Sequence, residues 1–394
     1  MDFNFTPEEE AFRQELRSWL QDNLPEGYDP KHFDDIDADA RFEYQRTWQQ
    51  TACKDRWVGI HWPEEYGGRG ASLMEMFIFN QEMHKAHAPR FANTLGILMS
   101  GPTLIHWGTE QQKQRHLPQI LAGSEIWCEG LSEPGAGSDL ASMQMRAVED
   151  GDYFVVNGQK VWTSFAHRAD FIQLFVRTDP DVPKHRGISC LAVDMKTPGI
   201  TVRPLVQITG DSEFNEIFFE DVRIPKNNLI GPKNEGWKVL VTTLMHERAG
   251  IGSELPVHRQ FAELLKVCKT VEIHGRPASE DPAVRQKLAQ FSIECTAITY
   301  NMFRSFSKRL KGNPPGPEGS VNKLLGSELN MRLAMFATEL LGPYAQLTQG
   351  SPHTVDNGRW PRAALWYRLL TIGGGTSEIQ KNILGDRVLG LPKG

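Results

Sequence analysis

Cysteine is scarce and scattered. The five residues Cys53, Cys128, Cys190, Cys268 and Cys295 form no CxxC pair and are odd in number. Neither a disulfide framework nor a cysteine-ligated zinc site organises this chain, and a reducing compartment is expected. Long apolar runs are missing too: nothing approaches the ~20 residues of a membrane-spanning helix. The opening MDFNFTPEEE has no basic segment followed by an apolar one, so the chain reads as cytoplasmic if its source is bacterial. Positive charge is not in excess. Lys and Arg number 43 against 49 Asp and Glu, a net charge of −6 with both signs interspersed. That leaves no broad positive field for nucleic acid or an anionic membrane. No internal repeat is found, and low complexity is confined to KGNPPGPEGS (311–320).

What is present suffices for a sizeable core, since 40% of the 394 residues are hydrophobic, enough for two or three domains. Thr6-Pro7-Glu8-Glu9 spells a capping box with proline in the first turn. Phe12, Leu16, Trp19 and Leu20 then recur at helical spacing, and amphipathic segments follow around 39–55, 71–87 and 101–121. WVGIHWPEEYGGRG (57–70) is a turn-rich connection between them. From about 125 to 232 the texture changes to short β-branched and aromatic runs bounded by turn residues, which predicts an all-β domain. Asn157-Gly158, between Phe154-Val155-Val156 and Val161-Trp162, predicts a hairpin turn. After GPKNEGW (231–237) the helical period returns, interrupted at 311–320 and at GSPHTVDNGRWP (350–361). The expected organisation is α+β and multidomain: helices over 1–124, strands over 125–233, helices over 234–394.

Four segments could carry chemistry. In GLSEPGAGSDL (130–140), the hydroxyls of Ser132 and Ser138 and the glycines at 135 and 137 can line a polar ligand edge; the same composition also makes an ordinary loop. In GQKVWTSFAHRADF (158–171), strand alternation places Trp162 and Ser164 on one side. This suits an aromatic cofactor, or else Trp162 is core. In TIGGGTSEIQ (371–380), three glycines run into a helix that Thr376 can cap, letting backbone approach a ligand such as phosphate.

In LVTTLMHERAGIG (240–252), Leu240, Leu244, Glu247 and Ile251 follow a helical stripe. A carboxylate near the middle of such a stripe is either a general base, its pKa raised by burial, or half of an ion pair with an arginine. His246 points away from that stripe, and His84, His87, His106 and His116 show no metal-ligand spacing. The acidic run DDIDADA (34–40) reads as a solvated helix start.

Taken with GTEQQKQRHLP (108–118), LIGPKNEGW (229–237) and GGGTSEIQKNILGDRVLG (373–390), the segments GLSEPGAGSDL and GQKVWTSFAHRADF resemble the acyl-CoA dehydrogenase family from end to end. The resemblance implies an N-terminal helical domain, a central β-barrel and a C-terminal four-helix bundle, with non-covalent FAD. It implies α,β-dehydrogenation of an acyl-CoA thioester to the trans-2-enoyl-CoA, as in the β-oxidation of fatty acids or other lipids. An electron-transferring flavoprotein would take the electrons. By the family's motifs, Leu131, Ser132, Gly137 and Ser138 contact flavin, with Ser138 also near the acyl-CoA. Trp162 and Ser164 shield and hydrogen-bond the isoalloxazine, while Thr376 and Glu378 sit near the FAD.

The family often carries its catalytic carboxylate at the position held here by Gly374, and a glycine supplies no base. Members resembling isovaleryl-CoA and long-chain acyl-CoA dehydrogenases carry it early in the C-terminal domain, where this chain has Glu247. The resemblance gives Arg248 the organisation of the substrate side. Gly374 retains a backbone N–H that could polarise the thioester carbonyl, and moving the base favours branched or bulky acyl groups.

The chain also departs from the family. KTVEIHGRPASEDPAVRQ (269–286) lacks the arginine and Phe-Gly pair that reach a neighbouring subunit's FAD, leaving Arg276 and Arg285 as substitutes. ELLGPYAQ (339–346) replaces a Gln-rich, double-glycine segment. The kept tail TSEIQKNILG favours a homotetramer, with a mixed tetramer as the other arrangement. Two other functions compete: a flavin oxidase or monooxygenase on the same fold, and a subunit of a mixed tetramer with a mainly binding role.

Overall fold

The computed structural model describes residues 5–26, 28, 33, 36–247, 256–313, 316, 317 and 319–392, with backbone alone at 246, 247 and 256. Two compact units form: Met1–Gln207 with Asp211–Gly252, and Ile208–Gly210 with Ser253–Gly394.

In the first unit, local signals start the helices. Helix α1 (Pro7–Asn23) opens on the Thr6–Glu9 capping box that the sequence predicts, with Pro7 in its first turn. Helix α2 (Ala38–Lys54) opens on Asp37, whose carboxylate accepts from the Asp39 and Ala40 N–H groups. Boxes at Ser72–Glu75 and Thr109–Gln112 begin α3 (Leu73–Lys85) and α5 (Glu110–Ala122). Helix α4 (Gly101–Trp107) is entered through a π-helical turn at Gly96–Ser100. The turn-rich connection after α2 proves to be the middle of the helical core: Trp57, Val58, Ile60 and Trp62 are all buried there, beside Leu16 and Trp48. Each such side chain removed from water contributes roughly 1.5–3 kcal/mol.

Eight strands follow: β1 (Trp127–Gly130), β2 (Arg146–Asp150), β3 (Tyr153–Ser164), β4 (Phe171–Arg177), β5 (Ile188–Asp194), β6 (Ile200–Leu205), β7 (Phe214–Pro225) and β8 (Leu229–Ile230). They make one mixed sheet in the order β6-β7-β3-β2-β4-β5-β8, with β1 parallel on β4. One face of β2, β3, β4, β5 and β7 closes a core of its own, including Phe154, Val156, Leu174, Leu191, Ile217 and Phe219. The other face of β4 and β5, through Phe171, Phe175, Ile188, Cys190 and Ala192, joins the helical core. Strand β4 is therefore buried along its whole length, and its sequence FIQLFVR is apolar but for Gln173 and Arg177, both of which are buried and hydrogen-bonded.

Helix α6 (Gly236–Glu247) also belongs to this unit by its packing, although the sequence division at 233/234 groups it with the C-terminal helices. Its buried face, Val239, Leu240 and Thr243, lies on α4 and β5.

The hairpin expected at Asn157-Gly158 does not form. Strand β3 runs through both residues, and they make a bulge in its pairing with β7, Gly158 having φ +143°. The bulge is stitched across the strands: Asn157 Oδ1 accepts from Asp221 N at 2.8 Å, and Asn157 Nδ2 donates to Asp221 Oδ1 at 3.0 Å. The turn lies six residues earlier, at Gly151-Asp152 between Asp150 and Tyr153, with Gly151 at φ +56°. Gly151-Asp152, with glycine at the first central position, is itself a two-residue turn signal. Closing there lets Phe154 and Val156 reach the sheet core together.

The second unit is helical: α7 (Pro256–Thr270), α8 (Pro282–Leu310), α9 (Gly319–Leu341), α10 (Arg359–Trp366) and α11 (Ser377–Ile383), with a short hairpin of β9 (Glu272–Ile273) and β10 (Arg276–Pro277) between α7 and α8. Leu264, Cys268, Phe291, Cys295, Leu329, Leu333 and Trp360 form its core. All five cysteines are free, and no helix among the described residues is long and apolar enough to cross a membrane. The expected succession of a helical domain, a sheet domain and a helical domain is the architecture observed.

Candidate functional site

The loop after β1 is fixed from inside. Glu133 and Ala136 exchange both backbone hydrogen bonds at 3.0 Å, a tight turn over Pro134-Gly135. The buried Glu133 carboxylate accepts from Gln144 N at 2.6 Å, Met145 N at 3.1 Å and Lys160 Nζ at 2.9 Å. Lys160 is wholly buried and donates also to the Leu131 carbonyl at 2.9 Å. Burial pushes its ammonium down to about 8, against the pull of Glu133. Outward, Gly137 and Ser138 are exposed, and a Cβ built on Gly135 or Gly137 would meet no protein atom within 4 Å. Neither glycine is required by packing, so the space they leave is available to a ligand.

Beside this loop, β3 carries a second bulge. Its register against β7 shifts between Lys160 and Thr163, with Trp162 in the left-handed region at φ +62°. A bulky residue held there costs on the order of 1–3 kcal/mol. The indole is 61% exposed, which rules out the reading of Trp162 as core. Its ring neighbour is Phe214, edge-on at 6.3 Å. Simple alternation, the expected basis for pairing Trp162 with Ser164, is thus interrupted; the two residues instead flank the buried Thr163. Val161 N donates to the Ser132 carbonyl at 2.9 Å, so the structure brings Leu131, Ser132 and Trp162 together.

Helix α6 is anchored by a buried polar network. The Thr243 hydroxyl meets that of Thr103 at 2.8 Å and accepts from Gln173 Nε2 at 2.9 Å, all three residues being buried. Glu247 stands one turn further along, in the helical row of Thr243 and Leu240. The side chains of His246 and Glu247 lie outside the described residues, as do Arg248 and Ile251, so the stripe is described only as far as the backbone of Glu247.

In the second unit, Gly374 (φ +64°) and Gly375 (φ +86°) adopt the conformation that favours glycine. Their carbonyls accept from Gln380 Nε2, and that of Gly375 also from Lys323 Nζ. Among the described residues, no acceptor takes the Gly374 N–H. Thr376 caps α11 as expected, its hydroxyl accepting from Ile379 N at 3.2 Å. The Glu378 backbone N–H, followed by the Thr376 hydroxyl, holds the Glu378 carboxyl below its ordinary range. Thr376, Ser377 and Glu378 line a cleft of ≈ 340 Å³ with Glu328, Arg332 and Ile372. The Ser377 hydroxyl is buried and has no hydrogen-bond partner among the described residues.

The segment that departs from the family forms the β9–β10 hairpin, with its turn at His274 (φ +53°) and Gly275 (φ +76°). Arg276 is exposed on β10, and Arg285 in the first turn of α8 donates to the Ser279 carbonyl at 3.4 Å. ELLGPYAQ ends α9 in a 3-10 turn. Among the described residues no cluster could hold a metal ion.

Sequence reasoning missed the Lys160–Glu133 pair and the Thr103–Thr243–Gln173 network. A lysine inside a β pattern was the only signal for the first. The second offered none, because threonine and glutamine are ordinary on helix and strand surfaces.

Models of the acyl-CoA dehydrogenase N-terminal, middle and C-terminal domains match residues 6–124, 128–222 and 234–389. The chain is 38% identical to acyl-CoA dehydrogenase IpdE1 of Mycobacterium tuberculosis, over 98% of each. Among solved structures, the ChsE4-ChsE5 complex from Mycobacterium tuberculosis superposes with a TM-score of 0.84 at 35% identity, covering 100% of both chains. The Tcur3481-Tcur3483 steroid ACAD does so with 0.84 at 30%, again over 100% of both. Three domain matches in order, whole-length relatives and a shared fold leave one reading: this chain is a member of the acyl-CoA dehydrogenase family.

Proposed function

We propose that this chain is an FAD-dependent dehydrogenase of acyl-CoA thioesters, with Glu247 as the base that takes the α-proton. The observation that carries the reading is the surface made by Leu131, Ser132 and Trp162: an exposed indole on a strained bulge beside a glycine loop with open space above it. These features fit a flat, polar-edged group such as flavin. Within the second unit, the Thr376–Glu378 cleft, where the Ser377 hydroxyl finds no partner among the described residues, is a polar surface that also fits part of such a cofactor. When bound, FAD supplies the two-electron acceptor for the hydride that leaves the β-carbon. Trp162 would shield the flavin, Ser164 with Leu131 and Ser132 would hold its polar edge, Gly137 would admit close approach, and Ser138 would also reach the acyl-CoA.

Gly374 cannot act as base, so proton removal falls to Glu247, carried on a helix that Thr243 anchors one turn earlier. The N–H of Gly374, which no described residue accepts, would polarise the thioester carbonyl and so make the α-carbon acidic enough for a carboxylate to deprotonate. Arg248 organises the substrate side, and Glu378 stands near the FAD at the head of α11.

The relatives' names support lipid catabolism, and the name of the steroid ACAD supports a bulky, ring-bearing acyl group. An electron-transferring flavoprotein is the expected acceptor. The β9–β10 hairpin where an arginine and Phe-Gly would serve a neighbour's FAD, together with the two-component names of both solved relatives, favours a mixed tetramer over a homotetramer.

The test is anaerobic addition of straight-chain, branched and steroid-side-chain acyl-CoAs to the purified chain, alone and co-expressed with a candidate second subunit. Bleaching of the visible flavin band by one class is expected. A protein that holds no flavin in either form, or whose flavin no acyl-CoA reduces, would overturn the reading. Peroxide released at the rate of turnover would make it an oxidase.

A further inference from the structure

We propose that Lys160 and Glu133 are positioning residues: their buried pair holds the Leu131–Ser132 backbone in place beside the Trp162 bulge, and so sets how tightly the cofactor is kept. The inference rests on the reading of this surface as the flavin's.

The geometry is specific. One ammonium binds both the Leu131 carbonyl and the Glu133 carboxylate at 2.9 Å, while the carboxylate's other bonds go to the amides of Gln144 and Met145. The loop is thus closed on itself from 131 to 145. Its far half is held by a second buried cation: Arg177 donates to the Ala141 carbonyl at 2.6 Å and, across the sheet edge, to those of Lys184 and Arg186 at 2.9 and 2.8 Å. Residues 134, 135 and 137–139 between these anchors remain exposed.

Two considerations make positioning the purpose. A buried ion pair is a poor source of stability, since removing both charges from water costs about as much as their attraction returns. A loop that had to order on binding would spend about 1–2 kcal/mol per residue in backbone entropy, a cost that a loop held in advance avoids. Lys160 lies two residues before Trp162 on the same strand, and Val161 between them bonds Ser132. One side chain therefore fixes both parts of the surface.

The experiment is reconstitution of apoprotein with FAD, using wild type, K160M, E133Q and K160M/E133Q, each with its second subunit if the chain purifies only with one. The double variant leaves neither member of the pair charged and buried alone, and it is expected to melt within a few degrees of wild type. Its FAD dissociation constant should rise about tenfold or more. In the flavin-free protein, amide hydrogen exchange should accelerate within 131–145 and not in β4 or β5, a change that general destabilisation would spread. A folded double variant that binds FAD within about twofold of wild type, with unchanged exchange in the loop, overturns the proposal alone. Wild type that takes up no FAD overturns the flavin reading and the proposal with it.

Discussion

Gln173 on β4 donates from Nε2 to the hydroxyl of Thr243 on α6 at 2.9 Å, both residues being buried. The same hydroxyl meets Thr103 at 2.8 Å, so helix α4, helix α6 and the sheet share one oxygen. Thr243→Val keeps the shape and removes that oxygen, leaving the Gln173 amide without its acceptor. The expected cost is about 1–3 kcal/mol of stability, read as a lower denaturation midpoint. An unchanged midpoint would mean that the network contributes nothing net.

Glu247, one turn beyond, is the base proposed for the α-proton. Glu247→Gln should keep the flavin and lose acyl-CoA-driven reduction by several orders of magnitude in anaerobic stopped-flow measurements. Near-normal reduction would remove Glu247 from the mechanism.

At Trp162, stability and binding should respond oppositely. Glycine adopts φ +62° without strain, and the indole is 61% exposed, so Trp162→Gly gives up little buried surface. The flavin-free variant is expected to melt at the wild-type temperature or above it, with strain relief worth about 1 kcal/mol. Its affinity for FAD should fall by about tenfold, measured by equilibrium dialysis. A large loss of stability in the flavin-free form would show that the side chain is structural.

Lys160 gives a pH dependence with a definite sign. Burial lowers its pKa from 10.5 to about 8, so between these values the unfolded chain holds a proton that the folded chain has released. Stability from this group therefore rises with pH across that window and is lowest below it, where both forms are protonated. Denaturant melts of wild type and K160M should diverge in favour of wild type as pH increases from 8 to 10.5. A constant difference would contradict the lowered pKa.

Much of the architecture was legible because its signals are local. The Thr6–Glu9 box and the Thr376 cap each join residues three apart, and each forms as its spelling predicts. The Asn157-Gly158 reading failed for the complementary reason. Asparagine-glycine permits a turn, but whether the chain turns there depends on β7, whose Asp221 sits 64 residues away and bonds both ends of the asparagine amide.

By itself the sequence determined where helices begin, that a sheet domain lies between two helical blocks, and which motifs place the chain in its family. Those properties follow from capping, periodicity and turn chemistry among near neighbours. Tertiary structure alone decided that β3 bulges twice, that Trp162 faces outward in a left-handed conformation, and that α6 belongs with the first unit. It alone paired Lys160 with Glu133, 27 residues away, and Thr243 with Thr103, 140 residues away. Such pairings are set when buried polar groups must find partners at whatever distance along the chain the packing allows. Nothing in the neighbouring residues specifies them.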